Sequence, residues 1–179
     1  MPPMPPYSPP PLLEPSLRAL QDYMHRFYPD RAHSDPIPMD FWSVADDDLF
    51  LEILSYMPLH ISEEAQARFA EWPLAFQLAF PVFWLEDDYE FNGWTALTNA
   101  GEDLLQRAVD AYERIGMHSE AQALAKALVS VCQAPADEEA AKRAYKSVPN
   151  PYADDEAKFS ELLRFFRGNP QLWQETHQP

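Results

Sequence analysis

From Leu17 onward, apolar residues recur mostly at every third or fourth position, while Pro, Gly, Ser and Asp mark where one run ends and the next begins. Leu17, Leu20, Met24 and Phe27 make the first stripe, with Ser16 placed to cap its start and Pro29 to end it. A loop at Asp35, Pro36, Ile37 and Pro38 leads to Asp46, Asp47 and Asp48. A second apolar face follows at Leu49, Phe50, Ile53, Leu54 and Met57, and Pro58 is expected to stop it. Ser62, with Glu63 and Glu64 in the first turn, opens a short helix carrying Ala65 and Phe69. Pro73 and Pro81 are expected to divide the aromatic-rich stretch from Trp72 to Leu85 into short segments, buried on most sides.

The second half is more regular. Leu104, Leu105, Ala108, Val109, Tyr112 and Ile115 form a helical stripe, and Gly116 stands where a left-handed C-terminal cap belongs. Met117, Ala121, Leu124, Leu128 and Val131 continue as an antiparallel partner helix. Asp137 to Lys146 reads as another helix, and Asp154 to Phe166 as a last long one closing at Gly168. No stretch alternates strictly with turn signals at its ends, and only four glycines are present. The pattern predicts an all-α fold: a compact multi-helix single domain over residues 16–179, preceded by a proline-rich arm at 1–15. Eight of the first 15 residues are proline, which favours an extended tail or a strap on the surface.

Composition restricts the function classes. The 179 residues hold 29 acids and 13 bases, a formal charge of -16. Nucleic-acid backbones and anionic membranes attract basic proteins, so direct binding to either is excluded as an expectation. No apolar run approaches the roughly 20 residues that span a bilayer, and the N-terminus lacks a secretory pattern. With Cys132 as the one cysteine, a reducing, cytoplasmic location is expected.

The charge is concentrated. Residues 1–31 hold three acids and three bases, and residues 107–179 hold 11 acids and nine bases; residues 32–106 hold 15 acids and only Arg68 as a base. Local roles account for part of this. Asp46, Asp47, Asp48, Glu63 and Glu64 sit at helix starts, where carboxylates cap free amides and meet the positive end of the helix dipole. Glu86, Asp87, Asp88 and Glu90 follow a buried-looking stretch and read as a solvated corner; Glu52, Glu102 and Asp103 complete the set. These local roles do not explain the missing lysines and arginines. Carboxylates on successive helical turns lie about 5 to 6 Å apart, a spacing close to that of strand phosphates, so such a face suits a protein with a basic groove.

Chemistry of other kinds finds little support. His25, His33, His60, His118 and His177 are too widely separated for a helical metal site, and neither a phosphate loop nor a nucleophile elbow is present. Cys132 falls on a helical apolar stripe and is expected to be buried and inert. No metal, cofactor or enzymatic activity is expected.

Asn92-Gly93, Trp94, Asn99-Ala100-Gly101 and Ile115-Gly116 stand at the places of an Asn-Gly turn, an aromatic stretch, a second turn opening a helix, and an Ile-Gly corner. Over about residues 45–166 the chain thus resembles a family of small acidic helical bacterial proteins whose namesake is a DNA mimic. It departs from the family pattern at Thr95-Ala96-Leu97, where a Gln with paired aromatics is usual. The resemblance implies an all-helical protein that dimerises and sets acidic side chains against the DNA-binding surface of a transcription factor. The partner-binding residues expected from the charge concentration are Asp46, Asp47, Asp48, Glu52, Glu63, Glu64, Glu86, Asp87, Asp88, Glu90, Glu102 and Asp103. An immunity protein neutralising a toxin is the alternative reading, and a carboxylate-based enzyme the next. Trp94 is expected to be largely buried. Phe159, Leu162, Leu163, Phe165 and Phe166 are expected either to form a homodimer face or to fill the core.

Overall fold

A computed structural model describes residues 7–27, 37–133 and 135–174, and these form α-helices and short 3-10 turns with no β-strand among them. In chain order the helices are α1 (Glu14–Phe27), α2 (Asp47–His60), α3 (Glu63–Ala67) and α4 (Leu74–Asn92), then α5 (Thr95–Ile115), α6 (His118–Val131), α7 (Glu138–Lys146) and α8 (Asp155–Gly168). The fold is all-α, as the periodicity predicts. None of the described helices is long and apolar enough to cross a membrane.

The centre is α4. It buries residues all round, from Ala75 to Glu86, because it packs against α2 and α5 at once. α5 packs on α6 and α6 on α7, so successive helices fold back along the chain. The buried residues make one continuous cluster from Leu13 to Trp173.

Two expected stops are corrected. α2 runs through Pro58 to His60, and α4 runs unbroken through Pro81. A proline inside a helix costs about 3 kcal/mol through a lost hydrogen bond and a steric clash. Here Met57, Pro58, Phe80, Pro81, Val82 and Phe83 are all buried. Each large apolar side chain so placed contributes about 1.5 to 3 kcal/mol, which outweighs the local cost.

Ser16 is also corrected. α1 begins two residues earlier, with the Pro10 carbonyl accepting from the amides of Leu13 and Glu14. Ser16 is buried, and its Oγ accepts from the Ser62 amide at 3.1 Å, joining α1 to the start of α3. Tyr7 to Leu13 lie against the core: Leu13 is buried, and Tyr7 meets Trp42 edge-on at 4.5 Å. The proline stop at Pro29, the loop residues Asp35 and Pro36, His33, His177 and the arm's Met1 to Pro6 lie outside the described residues.

Several helix ends follow from the sequence. Asp46, Ser62, Asp137 and Asp154 cap α2, α3, α7 and α8 by accepting from amides three residues on, at 2.8 to 3.2 Å. Gly116, at φ +94°, closes α5 with the paired bonds Gly116 N–H to Glu113 O and Met117 N–H to Tyr112 O. Gly101 adopts φ +66° and ψ 179° and kinks α5, so the expected turn there is present as a break within one helix.

An aromatic cluster closes the core. Trp173 is fully buried, stacked on Trp42 at 5.6 Å and edge-on to Phe41 and Phe76. Arg167 ties α8 to the start of α2: it donates to Asp47 at 3.0 Å and to the Trp42 carbonyl at 2.8 Å, with its guanidinium 4.1 Å from the Phe50 ring centre. Leu162 and Phe166 are buried, and Phe159, Leu163 and Phe165 pack against the core. Leu162 and Phe166 thus serve the core, while Phe159, Leu163 and Phe165 are half-buried on α8. Cys132 is exposed at the C-terminal end of α6, correcting the expectation of a buried thiol, because the helix ends at Val131 and carries the stripe no further.

Candidate functional site

The run from Glu86 to Glu90 ends α4, and the helix turns its members to opposite environments. Glu86 points inward. It is buried, accepts from Tyr112 Oη at 2.5 Å, and is held by Lys158 Nζ at 2.8 and 2.9 Å from its two oxygens. This corrects its expected place on the surface: α5 and α8 cover that side of α4, and the carboxylate stays buried because it is paired and hydrogen-bonded.

Glu120 of α6 lies beside this pair. Lys158 Nζ is 3.6 Å from its Oε1, Tyr145 Oη donates to both its oxygens at 2.9 and 2.7 Å, and the Asn150 amide donates as well. Two carboxylates thus share one ammonium, with partners supplied from α4, α5, α6, α7 and α8. Desolvation raises the pKa of Glu120, and Lys158 offsets this only in part. Desolvation also acts to lower that of Lys158, but Glu86 and then Glu120 outweigh it and hold the ammonium above its ordinary value. Burial, reinforced by the same carboxylates, pushes the phenols of Tyr112 and Tyr145 upward, so both remain donors.

A cleft of about 390 Å³ opens beside this network. Its aromatic walls are Tyr89, Trp94 and Tyr145: Trp94 stands at 82° to Tyr89 with ring centres 5.3 Å apart, and at 63° to Tyr145 at 5.2 Å. Trp94, expected to be largely buried, is half-buried, because one side of it faces this cleft.

On the outer side of the α4 end stand Asp87 and Asp88, half-buried, and Glu90, exposed. Asp88 accepts from the side-chain amides of Asn92 at 2.6 Å and Asn99 at 3.0 Å. Asn99, in the expected second turn, thus ties α5 to the end of α4. The Asp87 carboxyl is pushed up to about 6 by desolvation and by the charges of Glu90 and Asp88. The negative end of the helix dipole lies here too, so the position opposes carboxylates where a helix start would welcome them.

The other assigned acids are dispersed. Asp46 is taken up as a cap and Asp47 by Arg167. Asp48, Glu63 and Glu64 are exposed in first turns, and Glu52 is half-buried on α2. Arg167 and Lys158 lie nine residues apart on α8, about 14 Å along the axis, so the start of α2 and the end of α4 occupy different ends of that helix. Glu102 and Asp103 are exposed just past the Gly101 break in α5, where Glu102 accepts from the Cys132 thiol at the end of α6. Among the described residues, Asp48, Glu63, Glu64, Glu90 and Asp103 are exposed without an ion-pair partner.

The sequence reading missed Tyr145, Asn150, Lys158 and the role of Glu120. The available signal was register: Glu120 shares a face with Met117, Ala121 and Leu124, and Lys158 shares one with Leu162 and Phe166.

No curated protein and no solved structure matches the chain. Compared with known families, residues 70–175 match the DMP19-like proteins. The match begins later than the resemblance placed at about 45–166, so Asp46, Asp47, Asp48, Glu52, Glu63 and Glu64 fall outside it. The α4 corner and the motif residues Asn92, Gly93, Trp94, Asn99, Gly101, Ile115 and Gly116 fall inside it. With more than half of its length in that match, including all of α4 to α8, the chain belongs to the DMP19-like protein family.

Proposed function

We propose that the protein is a non-enzymatic, cytoplasmic DNA mimic that sets its acidic surface against the basic DNA-binding surface of a transcription factor or another DNA-binding protein. The observation that carries this reading is the outer end of α4. Asp87, Asp88 and Glu90 crowd a helix C-terminus, the amides that hold Asp88 bring no positive charge, and Asp87 is raised to about 6. That arrangement destabilises the free protein, and a basic groove laid across it would relieve the repulsion. Family membership supports the same reading, and most strongly for this corner, which lies within the matched residues.

The cleft does not favour a carboxylate-based enzyme, because Glu86 and Glu120 are already taken up by Lys158, two phenols and an amide. Any homodimer would use a face other than that of Leu162 and Phe166, which are buried.

The test starts from proteins of the source cell that bind heparin. One that the immobilised chain captures is purified, and its association is measured across a salt series. Neutralising Asp87→Asn, Asp88→Asn and Glu90→Gln together is expected to slow association about tenfold at low salt, and duplex DNA is expected to compete. A rate indifferent to salt and to the triple variant would refute the proposal. Failure of DNA to compete would favour the immunity-protein alternative.

A further inference from the structure

The cleft beside Glu86 and Glu120 has no part in the surface reading, and its chemistry points elsewhere. Its volume, about 390 Å³, is in the range of small-ligand sites. Two features of the lining favour a positive charge. Glu86, Glu120 and Asp155 outnumber Lys158 and Lys146 by one negative charge. Tyr89 and Tyr145 each meet Trp94 at a steep angle, and the three rings, whose faces carry negative potential, line the cleft. The chain itself shows the preference, because Lys146 Nζ stands 5.2 Å from the centre of the Trp94 ring.

A neutral apolar guest would leave the charges of the floor facing a medium of lower dielectric than water, and an anion would meet the excess of carboxylates. An ammonium group answers both. Its donors face Asp155 at the rim, while an attached alkyl chain lies along the aromatic walls.

We infer that this cleft is a binding site for an alkylammonium group, held between the Tyr89–Trp94–Tyr145 walls and the carboxylate of Asp155 at the rim. The group is supplied either by a free small amine or by a lysine side chain of another polypeptide. This site stands independently of the mimic reading, since the outer carboxylates of α4 take no part in it.

The test uses the full chain, with the Trp94 indole N–H signal followed by NMR during titration with n-butylammonium, Nα-acetyl-lysine methylamide and, as the uncharged match, 1-butanol. Butylammonium is expected to shift the signal saturably and to bind at least about tenfold more tightly than 1-butanol. Asp155→Asn, at the exposed rim, is expected to weaken butylammonium several-fold and leave 1-butanol unchanged. Trp94→Leu, read by thermal stabilisation on adding the amine, is expected to abolish the effect. Binding of both amines assigns the site to lysine side chains, whereas binding of butylammonium alone assigns it to free amines. Equal binding of 1-butanol, or no saturable response to either amine, overturns the inference.

Discussion

Replacing Lys158 with methionine removes one buried charge and leaves two. Lys158 Nζ makes contacts of 2.8 and 2.9 Å with Glu86 and stands 3.6 Å from Glu120, and side-chain exposure at all three is 7% or less. Methionine keeps most of the alkyl packing, so the effect reports the charge. Each charge-assisted bond is worth about 1.5 to 3 kcal/mol, and breaking a buried pair costs about 3 to 5 kcal/mol in all, because the abandoned carboxylate has no water to turn to. For a chain of this length that is a fall in melting temperature of about 6 to 20 °C. The variant's abandoned carboxyls escape the cost by taking up protons. Their folded pKa then lies above the unfolded value of about 4.3, the folded state binds more protons, and stability rises as pH falls through the raised pKa. Urea unfolding followed by circular dichroism should therefore show a loss at pH 7.5 that is clearly smaller at pH 5.5. Adding Glu86→Gln should recover part of the loss, since an amide oxygen still accepts from Tyr112. A loss below about 1 kcal/mol at pH 7.5, or an equal loss at both pH values, would refute the view that Lys158 holds two charged carboxylates in the core.

Other expectations follow from single contacts. Trp173→Ala should cost about 3 to 5 kcal/mol in the same assay, because it empties the centre of the aromatic cluster. Gly116→Ala should cost about 1 kcal/mol through its left-handed backbone alone, since an added Cβ meets nothing within 4 Å; Gly168→Ala, in ordinary helix geometry, should be neutral or slightly stabilising. Asp87→Asn should raise stability at pH 7. The folded pKa of Asp87, about 6, exceeds the unfolded value of about 4, so its ionisation weakens the fold as pH rises through that window, and pH scans of the variant should be flatter there.

The helices were legible wherever local chemistry and core burial agreed. Tyr112, Ile115 and Gly116 announced both the α5 stripe and its cap, and Asp137 and Asp154 announced the starts of α7 and α8. Pro58 and Pro81 misled because the penalty is written in the sequence, whereas the burial that overcomes it depends on which helices surround α4. Glu86 and Asp87 are adjacent and chemically alike. Only the arrival of Lys158, 72 residues later, separates a core ion pair from a surface carboxylate. Trp94 misled in a similar way: two turn signals fixed its place at a junction, but whether that junction was packed or cleft depended on Tyr145 and Lys158.

Trp173 also sets the order of events as the chain is made. Besides Phe166, the rings it packs against, Phe41, Trp42, Phe50 and Phe76, leave the ribosome roughly a hundred or more residues earlier, and its carbonyl accepts from Tyr7, 166 positions upstream. Helices α1 to α8 therefore emerge around an unfilled centre, and no amount of early helix formation completes it. Until that late indole arrives, the nascent chain shows chaperones and proteases a patch of aromatic surface that the finished protein hides.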